Sequence, residues 1–247
     1  MFNWWVSILR HSGPSGAGAA ALQKGLRMIV SDRHGFIFVH NPKAGGMSFR
    51  TALKPMDDSG GFFDGWRPYP PQGRQLDRMH LTLAQIRRHH PETFGKFETY
   101  YSFGFVRDPY QRLCSAFSQH LTLATPILRD SVREDPDVFY SVLNRFALRA
   151  LRPHAAENDV KLTHFLPQSA FFTLNGAQVL TDIARLETPE HWPERITTLL
   201  GSRAQRLNQT PHRGGAPYDV SRLSRAVLDL VHEAYAEDFE RFGFARL

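Results

Sequence analysis

Two short, uninterrupted apolar runs limit this chain more than any other feature. Phe36-Ile37-Phe38-Val39 is bounded by Gly35 and by Asn41-Pro42, and Tyr100-Tyr101-Ser102-Phe103-Gly104-Phe105-Val106 ends at Arg107-Asp108-Pro109. Runs of β-formers without polar alternation suit strands buried on both faces, the condition of a parallel sheet covered by helices. A helical pattern follows each. After the first run, Ser48 caps or opens a helix with Phe49, Ala52 and Leu53 on one side, ending near Pro55. After the second, Pro109 suits a first helical turn, and Leu113, Phe117 and Leu121 recur at four-residue spacing.

The rest of the chain continues the alternation. Residues 57–75 are rich in Gly, Pro, Asp and Arg and read as an exposed loop, while Leu81 to His90 has helical spacing through Leu83 and Ile86. Further helices are expected from Pro136 to Leu151, from Pro189 to Leu200 and from Val220 to about Phe242. The last carries a stripe of Leu223, Val227, Leu230, Val231, Ala234 and Phe239. Val179 to Leu186 reads as a third strand. Strands alternating with helices imply an α/β layer fold with a mostly parallel sheet, helices on both faces, and binding at the carboxyl ends of the strands.

With 247 residues, 42% of them hydrophobic, the chain has the balance of one globular domain. Residues 12–20 form a Gly/Ala/Ser/Pro stretch, so 1–27 is expected to be a flexible lead-in and 28–247 a single domain. The single cysteine, Cys114, rules out an intramolecular disulfide framework, and no Cys/His spacing resembles a zinc site. The apolar run Phe2 to Leu9 is far short of the roughly 20 residues of a spanning helix and lacks a basic leader. A cytoplasmic protein without a transmembrane segment is therefore expected, with Trp4 and Trp5 offering at most a weak interfacial contact. The net charge of +6 favours an anionic partner, whether nucleic acid, acidic polymer, membrane surface or nucleotide. The basic residues are scattered among acids and form no nucleic-acid-binding module, so nucleic acid is not the expected partner.

The connection after the first strand has a chemical use. Pro42-Lys43-Ala44-Gly45-Gly46-Met47-Ser48 places a lysine, two glycines and a serine just before a helix. Glycines let backbone N–H groups turn inward around an anion, the helix N-terminus adds a favourable dipole, and Lys43 adds a point charge. The same residues also make an ordinary strand-to-helix turn with an exposed lysine. The segment is not a Walker A loop, in which lysine follows the glycines and directly precedes Ser/Thr. The second strand ends in Arg107 before Asp108, with no acidic residue placed as a metal partner, which disfavours an ATP or GTP hydrolase.

Pro42-Lys43-x-Gly45-Gly46-x-Ser48 resembles the 5'-phosphosulfate loop of sulfotransferases that use 3'-phosphoadenosine 5'-phosphosulfate (PAPS), especially the carbohydrate sulfotransferases of the family 2 type. Phe105-Val106-Arg107-Asp108-Pro109-Tyr110-Gln111-Arg112-Leu113-Cys114-Ser115-Ala116-Phe117 is similar to their 3'-phosphate motif. A weaker resemblance continues through His80-Leu81-Thr82, His164-Phe165-x-Pro167-Gln168, Leu207-Asn208 and Tyr235-x-x-Asp238-Phe239. The resemblance implies a three-layer, P-loop-like α/β fold with a mostly parallel central sheet flanked by helices. It also implies transfer of a sulfuryl group from PAPS to a hydroxyl of a carbohydrate or similar acceptor, leaving 3'-phosphoadenosine 5'-phosphate, with no metal.

The resemblance also distributes roles. Lys43, Ala44, Gly45, Gly46, Met47 and Ser48 would hold the 5' side of the donor, with Lys43 also neutralising the departing phosphate. Arg107 and Ser115 would hold the 3'-phosphate, and Arg206 and Asn208 would lie near the nucleotide. Ala44 and Met47 stand where the family commonly has threonines, so any hydroxyl contact there is absent. His80 matches a histidine that serves as base, and the ordinary imidazole pKa near 6.5 suits that task. Asp108 bonds its turn or positions Arg112, Glu187 is a structural hydrogen-bond partner, and His40 shapes the loop. His164 with Gln168 lines the acceptor cleft or anchors a turn. Trp66 and Tyr69 could stack on sugar rings or pack locally. Two other readings stay open: a non-catalytic nucleotide- or polyanion-binding protein on the same fold, and an atypical P-loop kinase.

Overall fold

The structure, a computed structural model, describes residues 28–60, 66–69, 74–77, 80–201 and 217–247. The lead-in 1–27 lies outside the described residues, as do Arg206 and Asn208. In chain order the elements are β1 (Ile29–Ser31), β2 (Phe36–Val39), α1 (Gly46–Leu53), β3 (Trp66–Tyr69), β4 (Arg74–Asp77), α2 (Leu83–His89), α3 (Pro91–Gly95), β5 (Tyr101–Val106) and α4 (Pro109–His120). They continue with α5 (Pro126–Glu134), α6 (Pro136–Ala150), α7 (Ala155–Asn158), β6 (Thr173–Leu174), β7 (Ala177–Gln178), β8 (Asp182–Arg185), α8 (Glu194–Leu200), α9 (Arg225–Ala234) and α10 (Ala236–Phe242).

The central sheet has the order β1-β2-β5-β8. β2 pairs parallel with β5, Phe36 opposite Tyr101 and Phe38 opposite Phe103, and β5 pairs parallel with β8. Only the short β1 runs antiparallel, on β2. Successive side chains of a strand face opposite sides, and here both sides are covered. Phe36, Phe38, Tyr101, Phe103 and Phe105 pack on one side with Phe49 and Leu53 of α1 and Ile196 and Leu200 of α8. Ile37, Val39 and Val106 pack on the other with Leu113 and Phe117 of α4, Leu143 of α6, and Val227 and Val231 of α9. The unbroken apolar runs thus serve a sheet sandwiched between two helical layers, the expected three-layer α/β fold with a mostly parallel sheet.

Several boundaries differ from the sequence reading, each for a local reason. α1 begins at Gly46 rather than at Ser48, because Gly45 takes the helix-entry position in a left-handed conformation (φ 74°). α2 begins at Leu83, where Thr82 and Gln85 form a reciprocal capping box. The segment from Pro189 divides into a 3-10 turn, Pro189–His191, and α8, which starts directly after Pro193. The stripe from Val220 divides as well. Ser224 caps α9, and the chain leaves helical geometry at Tyr235 (φ −117°, ψ 25°) before α10. The third strand contracts to Asp182–Arg185, preceded by the β6–β7 hairpin. Within 57–75, read as an exposed loop, β3 pairs antiparallel with β4, which reaches Asp77.

β5 carries a glycine at its centre because another ring occupies the space above it. A Cβ on Gly104 would run into the Phe172 ring, with Phe172 Cζ at 3.0 Å and the Val39 carbonyl oxygen at 3.2 Å. Phe172 is itself fully buried. Gly104→Ala should therefore lower stability by about 1–3 kcal/mol, the usual penalty for overpacking a filled core. Urea unfolding of the two proteins measures this; an unchanged midpoint would mean that Phe172 shifts freely.

Candidate functional site

Backbone geometry shapes the loop between β2 and α1. Lys43 (φ 66°) and Gly45 (φ 74°) both occupy the left-handed region, with Ala44 between them. Glycine adopts it freely, whereas for lysine it is uncommon and must be held by the surroundings. Gly45 is further required by space, since a Cβ there would lie 2.8 Å from Phe49 Cε2 and 2.9 Å from Leu186 Cδ1. A Cβ on Gly46 would strike the His40 ring. α1 opens from this turn with no side-chain cap and no acidic residue in its first turn. Its first N–H groups and its dipole therefore face the loop without an anionic side chain from the helix. Ala44 is buried in the apolar layer with Phe49 and Phe105, so position 44 supplies packing and backbone. Met47 and Ser48 lie in the first turn of α1, and their side chains fall outside the described part.

The second half of the site comes from β5 and α4. Arg107 follows the last residue of β5 and is half-buried, and its guanidinium makes no hydrogen bond among the described residues. Ser115 lies on α4, one helical turn after Gln111 and one before Gln119, so the three share a face opposite Leu113 and Phe117. Gln111 is fixed by a reciprocal pair with the Tyr218 backbone, at 2.8 and 2.9 Å. Gln119 accepts a 2.8 Å hydrogen bond from Lys43 Nζ. That contact carries the loop lysine across to the helix face that bears Ser115.

Buried polar groups hold the two halves in register. The side-chain amide of Gln168 accepts from Asn41 Nδ2 (2.8 Å) and from the Arg107 N–H (3.0 Å), and donates to the Arg107 carbonyl (2.8 Å). Asn41 also donates to the Phe105 carbonyl at 3.0 Å. One amide thereby bridges the carboxyl ends of β2 and β5. Gln168 is itself fixed by Asp238, whose carboxylate accepts from the backbone N–H groups of Gln168 and Ser169, both at 2.8 Å. Arg112, fully buried, donates to the carbonyls of Pro42 (3.2 Å), His164 (3.2 Å) and Leu166 (2.6 Å), and lies over the Tyr235 ring. Tyr235 in turn donates to the Phe165 carbonyl at 3.0 Å.

Of the two roles considered for Asp108, the structure shows the first. Its carboxylate caps α4 by accepting from the Gln111 N–H at 2.9 Å, while the Arg112 side chain serves the carbonyls instead. Glu187 is a hydrogen-bond partner as expected, accepting from the Asp108 N–H at 2.7 Å. Gln168 anchors strand ends rather than lining a cleft. Arg112, Tyr235 and Asp238 stand within the motifs, but their part as a framework has no sequence signal, and Gln119 has none beyond its helical spacing from Ser115.

The electrostatics follow from this crowding. Desolvation, with the nearby charge of Arg107, pulls the Lys43 ammonium down to about 8. Desolvation also lowers Arg107, although Glu187 acts in the opposite direction. Two cations at neighbouring strand ends thus lose water and repel each other, a condition that an anion between them relieves. Behind them His80 stacks between His40, with ring centroids 4.6 Å apart, and His164, at 4.8 Å and edge-on. Burial, followed by the charges of Lys43 and Arg112, holds His80 at about 3 rather than near the 6.5 expected of an ordinary imidazole, and His164 lies well below that value for similar reasons.

Buried neutral histidines make the fold acid-sensitive. The folded-state pKa values of His80 and His164 lie below the unfolded value, so below pH 6.5 the unfolded chain binds more protons. Their contribution is complete above about pH 6.5 and is lost as pH falls toward about 3. Asp238, raised by burial, acts with the opposite sign. Urea midpoints taken between pH 7 and pH 4 should fall, and His80→Asn should fall less steeply. Equal slopes would contradict a buried, neutral His80.

Comparison with known proteins agrees with this geometry. The family model described as the sulfotransferase family matches residues 26–245. Mouse carbohydrate sulfotransferase 12 is 30% identical over 126 residues, 41% of this chain and 29% of that protein, so the match spans under a third of the relative's length. No solved structure matches. The expectation of a cytoplasmic protein is overturned by the likeness to carbohydrate sulfotransferase 12. That expectation rested on the shortness of one apolar run, which does not report compartment. Among the described residues no helix is long and apolar enough to cross a membrane. The phosphate-type loop, the arginine at the neighbouring strand end and the match over nearly the whole chain lead to one conclusion: this protein belongs to the sulfotransferase family.

Proposed function

We propose that residues 28–247 form one sulfotransferase domain that moves the sulfuryl group of PAPS onto a carbohydrate hydroxyl. The observation that carries this reading is the pair of desolvated cations, Lys43 and Arg107, at the ends of adjacent parallel strands that one glutamine holds in register. A nucleotide with phosphates at both its 3' and 5' positions would bring one anionic group to each cation and relieve their mutual repulsion. The left-handed loop and the start of α1 would take the 5' side, and Arg107 with Ser115 the 3'-phosphate. Arg206 and Asn208 are retained as nucleotide-side residues from the resemblance.

In this reading Lys43 leaves Gln119 for the donor and neutralises charge developing on the departing 5'-phosphate, assisted by backbone N–H groups. Arg107 fixes the nucleotide and thereby the line of displacement. His80 takes the acceptor proton. An anion beside Lys43 would offset part of the positive field that depresses His80 and so strengthen it as a base. The chain itself supplies cations for both phosphates, so magnesium is not required for donor binding.

Two measurements check the reading. 3'-Phosphoadenosine 5'-phosphate without magnesium should stabilise the protein by about 2.7 kcal/mol at 100 times its dissociation constant, and ATP with magnesium should do much less. A larger thermal shift with ATP and magnesium would favour the kinase reading. Separately, His80→Ala should bind 3'-phosphoadenosine 5'-phosphate normally yet lose roughly 10²–10⁴-fold in turnover of labelled PAPS with glycan acceptors. Full turnover in a folded variant would remove His80 as the base.

A further inference from the structure

An imidazole offers two nitrogens, and the surroundings of His80 distinguish them. Its Nδ1 lies 3.4 Å from the backbone carbonyl oxygen of His40. A carbonyl can only accept, so this contact is a hydrogen bond when Nδ1 carries the proton, and a neutral ring then has its lone pair on Nε2. The ring is also held in place. His40 stacks on one side with centroids 4.6 Å apart at 40°, and His164 stands edge-on at 4.8 Å and 87°. The His40 ring reaches onward to α1, occupying the space that a side chain at Gly46 would need. Arg112 fixes the same stretch of backbone, binding the Pro42 carbonyl on the loop and the His164 carbonyl on the other wall.

Resting on the reading of His80 as the base, we propose that His40 is a positioning residue. Its carbonyl sets His80 as the Nδ1–H tautomer with Nε2 as the proton acceptor, and its ring couples that imidazole to the first residue of α1, where the donor is held. In the transfer step the acceptor O–H bond breaks as an N–H bond forms at Nε2. The acceptor oxygen bonds to sulfur as the bond from sulfur to the bridging phosphate oxygen breaks, and that electron pair leaves with the phosphate. The resulting imidazolium already donates its Nδ1–H to the His40 carbonyl, so its charge meets an oriented dipole without rearrangement. The ring that holds the base is thus packed against the first residue of α1.

The tautomer is directly observable. In the full chain labelled with ¹⁵N-histidine at pH 7, the His80 signal, identified by its absence from His80→Gln, should show a protonated Nδ1 and a bare Nε2. A proton on Nε2 would overturn the proposal. In transfer assays with labelled PAPS, His40→Ala should lower turnover roughly 10-fold, a part of what a general base supplies. It should leave affinity for 3'-phosphoadenosine 5'-phosphate unchanged, and His40→Phe, which keeps a ring at the stack, should restore most of the turnover. Lost affinity with unchanged turnover would instead make His40 a donor-loop residue and defeat the proposal. Should His40→Ala fail to fold, the tautomer in the unaltered protein still decides. The outcomes also separate from those of the parent reading: full turnover in His80→Ala removes the base role and leaves the measured tautomer standing, whereas the wrong tautomer defeats only the role of His40.

Discussion

The side-chain amide of Gln168 is the contact on which the site depends. It ties Asn41, just past β2, to Arg107, just past β5, through three hydrogen bonds of 2.8 to 3.0 Å. Parallel strands leave their carboxyl ends side by side, but nothing in the ladder fixes the residues beyond the last pair. Here those residues lead into the Lys43 loop on one strand and include Arg107 on the other. Because Gln168 is fully buried, each of its hydrogen bonds replaces one that water can no longer supply, and losing a partner would leave a buried polar group unsatisfied. Asp238 then fixes Gln168, and Arg112 fixes the loop behind Lys43, so the framework reaches from α10 to the loop between β2 and α1.

This framework explains why the cations tolerate each other. Lys43 is left-handed, half-buried and within the field of Arg107, three unfavourable conditions that a loose loop would relax. They persist because the carbonyls and strand ends around them are pinned. A site with its charges already desolvated gains more from a bound dianion than a solvated one does, and it undergoes little reorganisation when the anion arrives. The low pKa of His80 arises chiefly from burial, and the nearby charges of Lys43 and Arg112 lower it further.

Much of the fold could be read from residue order. Phe36–Val39 and Tyr101–Val106 were identifiable as core strands because doubly buried strands need unbroken apolar runs, and α6 was placed to within a residue of its observed end at Ala150. The breaks were harder. The stripe through Val227, Val231 and Phe239 has helical spacing throughout, yet the chain turns at Tyr235 because its hydroxyl bonds to Phe165 and Asp238 must reach two backbone N–H groups. Such reasons are tertiary and leave no local pattern. In the site, Lys43, Gly45, Gly46, Arg107, Ser115 and His80 were named from motifs. Arg112 and Asp238 stood in the same motifs without a role, because a buried charge that binds carbonyls or amides has the sequence signature of a surface ion pair. Gln119 and the tautomer of His80 depend on distances between elements, which only the fold supplies.

The central claim is that the ends of β2 and β5 hold the two phosphates of one nucleotide, with Arg107 on the 3' side. The most direct test compares the affinity of 3'-phosphoadenosine 5'-phosphate with that of adenosine 5'-phosphate, in the unaltered protein and in Arg107→Ala, by calorimetric titration. A charge-assisted hydrogen bond contributes about 1.5–3 kcal/mol, so the preference for the 3'-phosphorylated nucleotide should fall by roughly 10- to 100-fold while affinity for adenosine 5'-phosphate changes little. A preference that survives intact in folded Arg107→Ala would contradict the claim.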